Sequence, residues 1–179
     1  MKKKKFVVKK EEVEPHLQYL KGKGEKEMAT FQRILHETGS RFRAVKSMRV
    51  QDVYKGYIIP QETKTEKREI KISDQLQREI EELIEERKVS GKDLIFSHVI
   101  YEVAVARSLE KSPALTEKDP RFAYGGHCFR VATYNDEIRK LKTQWEKEAG
   151  RKLGHTNAKT GRKSYMSSEM QKGLQELNF

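Results

Sequence analysis

Apolar residues recur every three or four positions along most of this chain, and only a few short stretches break that rhythm. The periodicity is what most constrains the fold: it dictates amphipathic helices where it runs and leaves room for sheet only where it stops. From Glu25, a helix face is marked by Met28, Phe31, Leu35 and Thr38. Gly39 suits a helix stop, and Ser40 behind it is placed to cap the next helix. That helix carries Arg41, Val45 and Met48 on one face, at i, i+4 and i+7. Asp74 to Lys88 repeats the pattern with Leu76, Ile80, Leu83 and Ile84 inward, and Gly91 closes it. Further helices are predicted around Leu17 and Leu20, ending at the glycine-rich residues 21–24, and over roughly residues 98–110. A long helix is predicted from His127 to about Ala149, with Ile138, Leu141 and Trp145 as its apolar face. After Gly150 a short helix and a last helix over about residues 166–177 complete the chain.

Strand character is confined to residues 53–59, "VYKGYII", and 68–73, "REIKIS". The polar, turn-like "QETKTEK" between them predicts a small hairpin or meander. Residues 93–98, "DLIFSH", read as a short buried segment. Residues 112–126 read as a loop punctuated by Pro113, Pro120 and the Gly125-Gly126 pair. Residues 1–10 read as a basic tail or short edge segment. The expected architecture is mostly helical with one small sheet in the N-terminal third, and no repeat interrupts it.

Charge narrows the partners. Lys and Arg exceed Asp and Glu by 38 − 27 = 11 in the 179 residues. Acidic side chains concentrate in residues 66–86, so cations are denser elsewhere than the net figure suggests. A chain this basic points to a polyanion, most often nucleic acid. Apolar residues are only 35% of the total, which calls for a compact core built from amphipathic faces. Cys128, the only cysteine, excludes an internal disulfide and a multi-cysteine zinc site, and fits a reducing compartment. The opening "MKKKKFVVKK" has only Phe6, Val7 and Val8 before charge returns, too short for a signal peptide. No later run is long enough to span a bilayer. The chain is expected to be soluble and intracellular.

The residues with chemical potential are scattered. Residues 153–170, "LGHTNAKTGRKSYMSSEM", look faintly like a phosphate-binding loop. The likeness fails, because Gly154 and Gly161 stand six residues apart, Arg162 intrudes before Lys163, and no hydrophobic strand leads in. Tyr165 is nevertheless odd for a core aromatic, since no apolar residue lies between Ala158 and it. Arg41, sharing a face with Val45 and Met48, is expected to point inward, where a guanidinium needs an anion: a carboxylate or a ligand. His127 and Arg130 form H-x-x-R at a helix start, one face apart by i, i+3, able to exchange a proton and grip an oxyanion. His127 and Cys128 diverge by about 100° on a helix and do not make a metal site. His16, His36 and His98 read as surface or ordinary packing residues. Lys64 sits at the tip of the expected hairpin, and Lys67 replaces it if the hairpin register shifts.

Read along the chain, these residues fall in a telling order: "TGSR" with Arg41, the hairpin Lys64, "HCFR" with His127 and Arg130, "LGH" with His155, then Tyr165. This resembles the tyrosine recombinase (phage integrase) family, whose catalytic domain carries R…K…H-x-x-R…H/W…Y in that order. "ILHETGSRFRAVKSMRVQDV" resembles the family's first arginine box, "TKTEKREIKIS" its β-hairpin, and "RKLGHTNAKTGRKSYM" its histidine-to-tyrosine box. The resemblance covers about residues 30–172. The family usually has an acidic residue where this chain has Ala44, and commonly a histidine where it has Val131. The step from His155 to Tyr165 is about one residue longer than usual.

The resemblance implies an α+β fold: a mostly helical DNA breaking-rejoining catalytic domain over residues 25–179 with a small antiparallel three-stranded sheet. Residues 1–24 are then a basic segment and short helix, and the family's N-terminal DNA-clamping domain is expected to be absent. The implied chemistry makes Tyr165 the nucleophile on a DNA phosphodiester, giving a 3′-phosphotyrosine. Arg41 and Arg130 would hold the non-bridging oxygens and His127 accept a proton or position the phosphate. His155 would donate to a non-bridging oxygen and Lys64 protonate the leaving 5′ oxygen. No cofactor, metal or ATP is implied. The implied partner is a double-stranded DNA recombination site, bound as a tetramer, with the free chain a monomer or weak oligomer. The implied location is the cytoplasm, associated with the nucleoid. Two other readings stay open: a type IB topoisomerase-like nicking and relaxing enzyme, and a non-catalytic DNA-binding module on the same fold, motivated by Ala44 and Val131.

Overall fold

The computed structural model describes residues 4–60, 69–116, 122–123 and 125–152. Lys64, Lys67, His155, Tyr165 and the last predicted helix lie outside these residues. The chain divides into two compact units, Met1–Tyr134 and Asn135–Phe179.

The first unit is built on helices α1 (Lys10–Gly22) and α2 (Lys26–Thr38), which pack together. Leu17 and Leu20 of α1 and Phe31, Ile34 and Leu35 of α2 are almost wholly buried, as the three-and-four spacing requires. Gly39 ends α2 in the left-handed region at φ 61°, with its N–H on Leu35 O at 3.1 Å. The following helix α3 (Phe42–Lys46) is a single short turn and a half. Ser40 does not cap it: the N-cap position is Arg41, and no side chain caps the helix. Helix α4 (Asp74–Arg87) is capped by Ser73, whose Oγ accepts from Leu76 N at 3.2 Å. It closes at Lys88, in the left-handed conformation, three residues before the expected Gly91. Leu76 and Ile80 of α4 join Phe31, Ile95 and Phe96 in the core. Phe31 is the aromatic hub, with edge-on contacts to Phe42 at 4.9 Å and Phe96 at 5.0 Å.

The buried arginine is Arg33, not Arg41. Its side chain pairs with Glu79 at 3.0 Å and Glu14 at 2.8 Å, and Lys21 reaches Glu79 at 2.7 Å, so one ionic network ties α1, α2 and α4 together. A second polar chain is fully buried: His16 meets Gln32 Oε1 at 2.8 Å, Gln32 Nε2 donates to Ser108 Oγ at 2.7 Å, and Ser108 donates to Val105 O.

The sheet is an antiparallel meander of β2 (Val53–Tyr54), β3 (Tyr57–Ile58) and β4 (Ile70–Lys71) in that spatial order. Residues 53–59 fold back on themselves at Lys55-Gly56, where Gly56 has φ 84°. Tyr54 faces Tyr57 across this turn with rings stacked at 4.7 Å. A second, parallel pair joins β1 (Lys4–Lys5) to β5 (Phe122–Ala123), in register Lys4 to Phe122. The N-terminal residues therefore form an edge strand rather than a tail, and Phe6 and Val8 behind it are buried. Helix α5 (Glu102–Lys111) starts four residues later than expected.

Helix α6 (His127–Lys152) begins in the first unit and docks there on the α2–α3 corner. Thr133 Cγ2 lies 3.4 Å from where a side chain on Gly39 would start. Thr133 Oγ1 lies 2.5 Å from His36 O and 2.9 Å from Phe129 O. A Cβ on Gly126 would sit 3.2 Å from Leu35 Cδ1 and 3.3 Å from Phe42 Cδ2. In the second unit, the described stretch of α6 carries Asp136–Arg139 and Glu137–Lys140 pairs. Leu141 and Trp145, expected on a buried face, are 58% and 49% exposed. No described helix is long and apolar enough to cross a membrane.

Two stability predictions follow from this packing. Gly126→Val forces a branched side chain between Leu35 and Phe42. It is expected to cost about 1–3 kcal/mol in denaturant unfolding. His16 is held neutral by burial, which lowers its pKa against the smaller opposing effect of Gln32. The unfolded chain binds a proton below about pH 6.5 that the folded chain refuses, so stability is full above that pH and falls as pH drops below it. Unfolding at pH 7 and at pH 5.5 should show this loss in the native chain and a smaller one in His16→Gln.

Candidate functional site

The docking of α6 on the α2–α3 corner brings the starts of three helices together around an open cavity of about 550 Å³. From α3 come Phe42, Arg43 and Ala44; from α5, Glu102, Val103 and Ala106; from α6, His127 and Arg130, with Ser40 and Arg41 ahead of α3 and Gly125 and Gly126 ahead of α6 completing the wall. Arg41 holds extended backbone between the left-handed Gly39 and the first residue of α3. Phe42, its neighbour, is anchored on Phe31, so the guanidinium is carried outward. Arg41 is exposed, which corrects the inward orientation expected from its spacing with Val45 and Met48. The reason is that α3 starts only after Arg41, so the helical register does not govern its side chain.

His127 and Arg130 stand where their spacing puts them, one turn apart on the outer face of α6. The inner face is set by Cys128, Phe129 and Ala132, which are 3%, 0% and 6% exposed. Those anchors fix the rotation of the helix and leave His127 exposed and Arg130 half-buried at the cavity. The Cys128 thiol is pushed up to about 12 by burial, so it stays protonated and contributes no nucleophile. Among the described residues no group of His, Cys, Asp and Glu is arranged to hold a metal ion.

The cavity is cationic. Arg41, Arg43 and Arg130 line it against one carboxylate, Glu102. α5 and α6 both begin at its wall, so the positive ends of their dipoles add to the field. Such a site attracts an oxyanion, and paired guanidiniums can grip its oxygens. Of the residues singled out from sequence, Arg41, His127 and Arg130 are brought together. Lys64, His155 and Tyr165 lie outside the described residues. Sequence reading missed Arg43 and Glu102. Arg43 sits beside Arg41 in "SRFR" and carried a charge signal; Glu102 carried none, because only the tertiary placement of α5 brings it here.

No family model matches the sequence, and no curated protein matches it. Solved structures do match in three dimensions. XerH site-specific recombinase, bound to its difH substrate in a pre-cleavage complex, superposes with a TM-score of 0.60 at 17% identity, over 97% of this chain and 55% of that one. The Tn1549 transposon integrase in complex with transposon right end DNA gives 0.61 at 17% identity, over 95% and 65%. A lambda integrase dimer on a COC′ core site gives 0.58 at 17% identity, over 94% and 51%. The chain thus spans between about half and two thirds of the length of each. At this identity the likeness is one of architecture: the chain has the fold shared by these site-specific recombinases and integrases.

Proposed function

We propose that this chain is the catalytic domain of a site-specific DNA recombinase of the tyrosine recombinase family, cleaving and rejoining DNA through a 3′-phosphotyrosine intermediate. The observation that carries the reading is that Arg41, His127 and Arg130, far apart in sequence, line one cationic cavity at the same corner of a recombinase fold. XerH, the Tn1549 integrase and lambda integrase are each bound to DNA in the structures that match. The net charge of +11 suits the same partner.

In this reading the scissile phosphate enters the cavity with its non-bridging oxygens on Arg41 and Arg130. The phenol oxygen of Tyr165 attacks phosphorus and forms a new P–O bond as the P–O5′ bond breaks. The phenolic proton passes to His127 as base, and Lys64 delivers a proton to the departing 5′ oxygen. His155 donates to a non-bridging oxygen. One ester replaces another, so the bond energy is kept and the reverse step rejoins a strand without ATP. Strand exchange would take place in a tetramer on a double-stranded recombination site. Ala44, buried in the cavity wall where the family usually has an acid, favours one second reading: a DNA-binding module with impaired chemistry.

The test uses duplex DNA carrying the recombination site with a nick that traps the cleaved strand. Native protein is expected to yield a denaturation-resistant adduct. Tyr165→Phe should yield none, and Arg130→Gln should form it roughly 100- to 1,000-fold more slowly. If native protein and Tyr165→Phe both bind the site and neither forms an adduct, the impaired-module reading replaces this one. Binding itself should weaken steeply and linearly in log–log form as salt rises, read by fluorescence anisotropy.

A further inference from the structure

Ser40 is 1% exposed, lines the cavity wall, and its hydroxyl oxygen has no hydrogen-bond partner among the described residues. Buried hydroxyls in folded proteins are nearly always paired, so an orphan at a cavity wall calls for a reason. A serine just ahead of a helix ordinarily satisfies itself by capping. Here that outlet is closed, because α3 begins one residue too late: its N-cap is Arg41. The Ser40 backbone N–H is already held, on Thr38 Oγ1 at 3.2 Å, which fixes the residue in place. Across the cavity the first turn of α6 presents His127 and Arg130, the positive end of a 26-residue helix.

We infer that Ser40 is a further phosphate ligand of this site, its hydroxyl donating to a non-bridging oxygen of the phosphodiester that Arg41 and Arg130 grip. The inference rests on the phosphate-binding reading of the cavity and adds a contact to it. Among the described residues the hydroxyl has no partner, so no such bond has to break when the anion arrives; the oxygen is itself buried, and the side chain turns toward the cavity to meet it. The O–H supplies a short neutral donor beside the two guanidiniums, at the junction where Gly39 turns the chain into Arg41. Removing it therefore has a signature that a structural serine does not share: the ligand-free fold is untouched while anion binding weakens.

The experiment measures thermal unfolding of the native chain, Ser40→Ala and Arg130→Gln in inorganic phosphate against chloride at matched ionic strength. Phosphate should stabilise the native chain, and Arg130→Gln should lose most of that effect. Ser40→Ala should unfold at or above the native temperature in chloride, yet need roughly tenfold more phosphate for the same stabilisation. If Ser40→Ala responds to phosphate as the native chain does while Arg130→Gln does not, the Ser40 inference is wrong and the cavity reading stands. If Ser40→Ala is markedly destabilised in chloride, the hydroxyl serves the fold and the inference is equally wrong. If phosphate leaves the native chain unaffected, the cavity reading fails and takes the inference with it.

Discussion

The close approach of the α2–α3 corner to the first turns of α6 determines everything that can happen at the cavity. At Gly126 there is no room for even a methyl group without pressing on Leu35 and Phe42, and at Gly39 the chain turns left-handed against Thr133. These two contacts join segments nearly ninety residues apart and set Arg41 beside His127 and Arg130. The aromatic hub at Phe31 stiffens the same corner, since Phe42, the residue after Arg41, packs on it edge to face. Arg41 is thus exposed and Arg130 half-buried at the cavity, and the backbone that carries them is anchored in the core.

Two populations of charge follow from that arrangement. Arg33 lies buried and is neutralised by Glu79 and Glu14, stitching three helices together. Removing one partner of such a pair leaves a charge stranded out of water, which is why it belongs to the scaffold. Arg41, Arg43 and Arg130 line the cavity with Glu102 as the only carboxylate among its described lining residues, which makes its wall cationic. The division keeps the charges that hold the fold apart from those that line the cavity.

Much of the fold was legible because the strong signals were local. The apolar faces of α2 and α4, the Gly39 stop and the outward face shared by His127 and Arg130 all follow from helical period and terminus chemistry. Two misreadings share one cause: a periodic pattern was carried past the point where the helix begins. Arg41 was grouped with Val45 and Met48 although α3 starts after it, and Ser40 was assigned a cap that falls to the next residue. Arg33 was passed over because its acceptors, Glu14 and Glu79, come from two other helices and leave no trace in the local sequence. Residues 1–10 were left open between a tail and a short edge segment because the strand that pairs with Lys4 and Lys5 lies more than a hundred residues away. Arg41, His127 and Arg130 were legible as an order of residues, and long-range packing is what brings these three to one cavity.

The account turns on which atom of the protein becomes joined to DNA. Digesting the trapped protein–DNA complex with protease and nuclease and sequencing the modified peptide by mass spectrometry reads this directly. The account predicts a nucleotide linked through its 3′ phosphate to Tyr165. A modified residue other than Tyr165, or a linkage through a 5′ phosphate, would contradict it.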